Sequence, residues 1–132
     1  MDAPASETEA AGRVRRLCGL TWLLLGVPAA VAGSPPDRDL VRTYYDLEVA
    51  GYCGLATDSV GVGFRVQRNH IMQLKDIDDA SMQQARMQGW KEAHLEWQNR
   101  GLGGFKGWCR TEGAAAAQRF REIAERGLAN PD

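Results

Sequence analysis

The sequence has no excess of charge of either sign and no long apolar run. Its 132 residues carry 16 basic and 17 acidic side chains, giving a net charge of −1. A nearly neutral chain has no electrostatic field with which to bind nucleic acid or an anionic membrane surface. No run of about 18 apolar residues is present, so the sequence predicts no stable membrane insertion. The length supports one small domain.

Motifs that would identify an enzyme or a metal site are also missing. The two histidines are His70 and His94, and neither belongs to an HExxH motif. No serine stands in a G-x-S-x-G segment, and the sequence has no EF-hand pattern and no CxxC pair. The sequence therefore predicts no catalytic residue, no metal ligand and no cofactor. These absences disfavour an enzyme without excluding one.

The clearest positive signal is a targeting segment at the N-terminus. Arginines occupy three of the positions 13–16, an apolar stretch covers residues 17–27, and Pro28 follows. Ala30 and Ala32 then stand at the −3 and −1 positions of a signal peptidase site. Residues 1–32 are predicted to be a signal peptide with an atypical acidic start, which places the protein in the periplasm or outside the cell. A retained anchor and a later translation start are the alternatives.

Large apolar residues are scarce in the predicted mature chain, residues 33–132. Leucine, isoleucine, valine and phenylalanine together number 18 there, enough for a thin core that would gain from a covalent link. Cys18 is lost with the signal peptide, which leaves Cys53 and Cys109. An even number of cysteines in an oxidising compartment predicts a disulfide. Redox-active or metal-bound cysteines are the alternative hypothesis.

Apolar spacing predicts an all-α domain of three or four helices. Residues 33–36 form a proline-containing linker, residues 37–127 the helical domain and residues 128–132 a tail. The first helix is expected from Asp37 to between Gly51 and Gly54, and the second from the cap cluster at 57–59 to Lys75. Residues 60–66 also alternate in polarity, so a short strand competes there. Further helices are expected from the acidic cluster at 76–79 to about residue 98, and from 108 to 126.

The candidate functional surface is a glycine-rich stretch between the last two predicted helices. Its glycine content predicts a loop leading to a helix start at Trp108, and a helix start of this kind can hold an anion. Tyr45 and Tyr52 lie off the apolar stripe of the first helix and are the best candidates for exposed aromatics near it. The complete candidate surface comprises Arg100, Gly101, Gly103, Gly104, Phe105, Lys106, Trp108, Tyr45 and Tyr52.

Two functional hypotheses follow from this surface. Tryptophan and tyrosine are enriched at interface hot spots, which favours a protein-binding module or accessory subunit with an unidentified protein partner. The alternative is a small binding protein for an anionic or amphipathic ligand, held by the cations of the glycine-rich loop and the helix start that follows.

Overall fold

The computed structural model describes residues 33–129 as a helical domain. Its elements are α1 (Arg38–Tyr52), α2 (Asp58–Leu74), α3 (Asp79–Asn99) and a fourth helical stretch made of α4 (Gly101–Trp108), a π-helical turn (Cys109–Gly113) and α5 (Ala114–Ala129). The prediction of an all-α fold with three or four helices is confirmed. The predicted signal peptide lies outside the described residues.

Local hydrogen bonds cap helix α1 at both ends. The carboxylate of Asp37 accepts hydrogen bonds from the backbone N–H groups of Asp39 and Leu40, at 3.1 and 3.0 Å, and so caps the helix. At the other end Gly54 adopts a φ of +67°, and the N–H of Leu55 donates to the carbonyl of Ala50 at 2.8 Å. This left-handed glycine cap terminates the helix close to the predicted boundary.

The segment that could have been a strand is helical. Residues 60–66 lie within α2, and Val60, Phe64 and Ile71 are buried along one face of it. Gly63 is buried on the same side and packs directly against the backbone of Phe120 in α5. The 3–4 spacing of apolar residues beyond residue 66 therefore outweighed the local alternation.

The predicted glycine-rich loop at residues 101–107 is wrong, because this segment forms α4 and continues into the π-helical turn. Glycine lowers helix propensity, but packing of Phe105 and Trp108 in the core holds the segment helical. Helix α5 continues to Ala129, three residues beyond the predicted helix end at residue 126.

The core lies on both sides of α1. One cluster joins α1 to α2 and α5 through residues such as Leu40, Phe64 and Phe120. The second joins α1 to α3 and α4 through Val49, Ala93, Trp108 and their neighbours. Helix α3 packs mainly on α1, and this contact is close because Gly89 has no side chain to separate the helices. Much of the outer face of α3 is left uncovered by the described residues.

The predicted disulfide joins the α1 side of the second cluster to the side formed by α4 and the π-helical turn. Cys53 at the end of α1 and Cys109 at the start of the π-helical turn have their sulfur atoms 2.03 Å apart and their Cα atoms 5.3 Å apart. The backbone at Gly113 passes so close that an added Cβ would lie 2.6 Å from the Cys53 sulfur. The pairing of Cys53 with Cys109 is confirmed.

Candidate functional site

The structure brings five of the predicted surface residues together near the disulfide. Tyr45 and Tyr52 reach this region from α1, and Phe105 and Trp108 reach it from α4. The guanidinium of Arg100 lies over the Trp108 ring, 5.2 Å from its centroid. Trp108 is buried, whereas Phe105 and Tyr52 are half-buried. The glycines at 101, 103 and 104 belong to α4, and Lys106 is exposed on that helix.

The prediction that Tyr45 is exposed is wrong, since only 7% of it is accessible. One apolar stripe predicts a single buried face for α1, but helices pack on two sides of α1. Tyr45 faces α3, and its hydroxyl donates a hydrogen bond to Glu96 there. Tyr52 is half-buried on the same side.

A polar network fixes Tyr45, Glu96 and Arg100 in place. Glu96 accepts hydrogen bonds from the Tyr45 hydroxyl and from the Arg100 guanidinium. Burial raises the pKa of Tyr45, and the negative charge of Glu96 raises it further. Burial opposes ionisation of Glu96, but the hydrogen bonds from Tyr45 and Arg100 outweigh it and lower the pKa of Glu96. Arg100 therefore neutralises an internal carboxylate instead of presenting its charge to a ligand.

The helix start that the anion-binding hypothesis requires at Trp108 is not present. Residues 101–113 are continuously helical, so the backbone N–H groups near Trp108 are directed along a helix. Of the features on which that hypothesis depends, the helix start is absent at Trp108 and Arg100 is paired with Glu96, whereas Lys106 is exposed.

A chain of stacked rings leads from this cluster to the surface of α3. Trp90 and His94 stack with centroids 5.1 Å apart and planes 10° apart, and Trp97 and Tyr52 stack at 5.2 Å and 7°. His94 lies between the two tryptophans, and its Nδ1 is 3.0 Å from the Tyr52 hydroxyl. These contacts hold the rings in fixed orientations, although each tryptophan remains partly accessible.

We call this surface the α3 aromatic face and define it as Met87, Trp90, His94 and Trp97 of α3 with Tyr52 of α1. Met87 is 60% exposed, Trp90 42% and Trp97 39%. A surface with several large apolar side chains held at such exposure is unusual on a small domain and is typical of a binding site. Burial and the nearby charge of Glu48 raise the pKa of Tyr52, so this hydroxyl stays protonated at neutral pH.

Two grooves flank Trp90. The larger, of about 620 Å³, lies between the non-helical segment 33–36 and α3, where Met87, Trp90 and Lys91 line it together with glutamine side chains. The smaller, of about 420 Å³, lies on the side of α1 and is lined by Glu48, Gln83, Arg86, Met87 and Trp90. Met87 and Trp90 contribute to both grooves and form the ridge between them.

Sequence reasoning missed the α3 aromatic face. The candidate surface predicted from the sequence shares only Tyr52 with this face. Trp90, His94 and Trp97 follow one another at spacings of four and three residues, beside a stripe of alanine and glycine. A stripe of small residues predicts where the helix contacts its neighbour, so the large residues beside it could have been identified as lying at the edge of that contact.

Comparisons with known proteins add no assignment to this geometry. The chain matches no family model, no curated protein and no solved structure. Within residues 33–129, no helix has both the length and the apolar character needed to cross a membrane. The same residues contain no group of three or more histidine, cysteine, aspartate or glutamate side chains placed to hold a metal ion.

Proposed function

We propose that this protein is an exported helical module that binds a protein partner through the α3 aromatic face. The observation that carries the proposal is the partial exposure of Trp90 and Trp97 on rings that neighbouring side chains already orient. Ordered aromatic side chains lose little conformational entropy on binding, and tryptophan is the residue most enriched in interface hot spots.

The position of the face on the fold supports the same proposal. Helix α3 contacts α1 through Ala85, Gly89 and Ala93, and the α3 aromatic face lies beside that contact, where Tyr52 of α1 stacks on Trp97. The disulfide and the network of Tyr45, Glu96 and Arg100 stabilise the support beneath it. A rigid support keeps binding residues in one arrangement and so lowers the cost of association.

Export is part of this proposal, supported by the N-terminal pattern and by the disulfide. Intact mass measurement of protein purified from its native source tests it. We expect a chain that begins at Gly33 and is two hydrogen atoms lighter than after reduction. A retained N-terminus with three titratable thiols, Cys18 included, would contradict export and oxidation together.

The docking surface is tested by site-specific photo-crosslinking in cells that produce the protein. A photoreactive residue replaces Met87 in one variant and Gln118, an exposed residue of α5, in the matched control. We expect a discrete cross-linked protein from position 87 but not from position 118, and we expect Trp90→Ala to remove it. Equal products from both positions, or none from position 87, would contradict the proposal.

A further inference from the structure

The chain places its own proline-containing segment against the α3 aromatic face. Residues 33–36, Gly-Ser-Pro-Pro, lie outside any helix, and each proline biases itself and the residue before it to extended conformations. They line the larger groove together with Met87 and Trp90 of α3. The segment enters α1 next to an ion pair between Arg38 and Glu92 of α3, whose nitrogen and oxygen are 3.6 Å apart. The groove thus has a proline-containing segment already along one side.

The remaining lining of the larger groove suits a second segment of this kind. A polyproline II helix makes no internal hydrogen bonds, so its backbone carbonyls require donors, and its proline rings pack against aromatic side chains. Gln83, Gln84 and Lys91 are exposed donors on this wall, and Gln88 donates to Glu92. No carboxylate is among the described residues that line the groove, and a carboxylate would repel backbone carbonyls.

The length of the groove fits one turn of such a helix. From Gln83 to Lys91, the α3 wall extends about 12 Å at 1.5 Å per residue. One turn of polyproline II extends about 9 Å at 3.1 Å per residue. The wall therefore accommodates a segment of about four residues, with the Trp90 ring at one end and the glutamine amides at the other.

We propose that the larger groove binds an extended, proline-containing peptide segment of the protein partner in the polyproline II conformation. This inference rests on the proposed function, because it names the chemistry of the segment that reaches the α3 aromatic face. Trp90 and Met87 pack against the proline rings, while Gln83, Gln84 and Lys91 bind the carbonyls. Because the described lining of the groove contains no carboxylate, a strongly basic segment is disfavoured.

The probe is a synthetic oligoproline peptide of about ten residues, with a glycine–serine peptide of equal length as its control. Binding to the oxidised protein is followed by tryptophan fluorescence and by isothermal titration calorimetry. We expect saturable binding of the oligoproline alone. Trp90→Ala should weaken the affinity at least about tenfold, as expected for removal of a hot-spot tryptophan. Leu95→Ala is the matched control, because Leu95 is exposed on α3 but does not line the groove, and it should leave binding unchanged.

Met87→Ala provides a second variant if Trp90→Ala does not fold, as judged by circular dichroism, and it should also weaken binding. Equal binding of both peptides, an equal effect of Leu95→Ala, or binding of a neutral oligosaccharide instead of the oligoproline would overturn the inference. Cross-linking from position 87 without oligoproline binding would overturn the inference and leave the proposed function standing. If neither cross-linking from position 87 nor oligoproline binding is observed, the proposed function and this inference are both overturned.

Discussion

An added Cβ at Gly63 would lie 1.8 Å from the backbone carbonyl oxygen of Phe120. The obstacle is backbone, which cannot rotate away as the end of a flexible side chain can. Helices α2 and α5 therefore approach each other as closely as they do only because position 63 has no side chain.

Gly63→Ala should lower the free energy of unfolding by about 3 kcal/mol, at the upper end of overpacking effects, since the two helices must separate. Chemical denaturation of the oxidised protein measures this change. The control is Gly51→Ala in α1, where an added Cβ has no neighbour within 4 Å. That substitution should raise stability by up to about 1 kcal/mol through helix propensity. Equal effects at the two positions would disprove the close approach.

Removal of the disulfide should destabilise the domain strongly. Cys53 and Cys109 are 56 residues apart, and closing a loop of that size contributes about 4 kcal/mol by restricting the unfolded chain. We expect the double variant Cys53→Ala/Cys109→Ala to unfold at a lower denaturant concentration by a corresponding amount. Adding reductant should lower the stability of the parent protein and leave the double variant unaffected. A reductant effect on the double variant would assign the loss to something other than this disulfide.

Glu96 should make stability depend on pH in the acid range. Burial raises its pKa, but the hydrogen bonds from Tyr45 and Arg100 lower it more, so its folded pKa lies below the ordinary value of 4.5. A carboxyl group with a lowered folded pKa stabilises the fold above its unfolded pKa. That contribution is lost as pH falls through the folded pKa. We expect Glu96→Gln to cost about 1 kcal/mol at neutral pH. The difference from the parent protein should shrink steadily below about pH 4.5.

Urea unfolding at a series of pH values measures this difference. Glu122→Gln is the control, because Glu122 is exposed on α5 and accepts only a local hydrogen bond from Gln118. Its effect should be small and should not follow the same pH profile. A Glu96→Gln effect that is constant across the acid range would show that the carboxylate charge is not what stabilises the network.

Asp76 offers a stabilising substitution. It follows α2 with a φ of 50°, in the left-handed region, and the N–H of Ile77 donates to the Met72 carbonyl at 2.9 Å, as in a glycine-type helix cap. A side chain in this conformation costs about 1 kcal/mol, and a negative charge at a helix C-terminus is also unfavourable. Asp76→Gly should therefore raise the thermal unfolding midpoint. Asp76→Ala removes the charge but keeps the strain, so it should gain less. An equal gain from both would assign the effect to charge alone.

The helices that could be predicted from sequence are those with strong local signals. Asp37 as a cap, Gly54 as a stop and the apolar spacing through Val60, Phe64 and Ile71 locate α1 and α2 within a few residues. The disulfide followed from a count of the cysteines left after the predicted signal peptide. These features depend on residues near one another in sequence or on a count of cysteines, so they can be predicted without knowledge of the tertiary packing.

Features that depend on packing could not be predicted in the same way. Five residues of the stretch 101–108 are glycine or charged, yet the segment is helical because Trp108 is buried against Tyr45 and Val49 of α1. Tyr45 is buried because α1 has neighbours on two sides, a fact that one apolar stripe does not reveal. The five surface residues that did come together do so as a packed support, and the exposed aromatic residues lie one helix away on α3.

The π-helical turn at Cys109–Gly113 acts as a one-residue insertion in an otherwise continuous helix. Trp108 and Phe120 are twelve positions apart, which in a regular α-helix would place them about 120° apart. The π turn accommodates one additional residue. The two side chains are therefore related as residues eleven positions apart are in a regular α-helix, by about 20°. Both large side chains can then face the interior from a single rod, one toward each core cluster. The bulge thus sets the rotational phase of everything that follows it. If the turn became regular α-helix with all its residues retained, α5 would rotate by about 100° and Phe120 would turn away from Gly63.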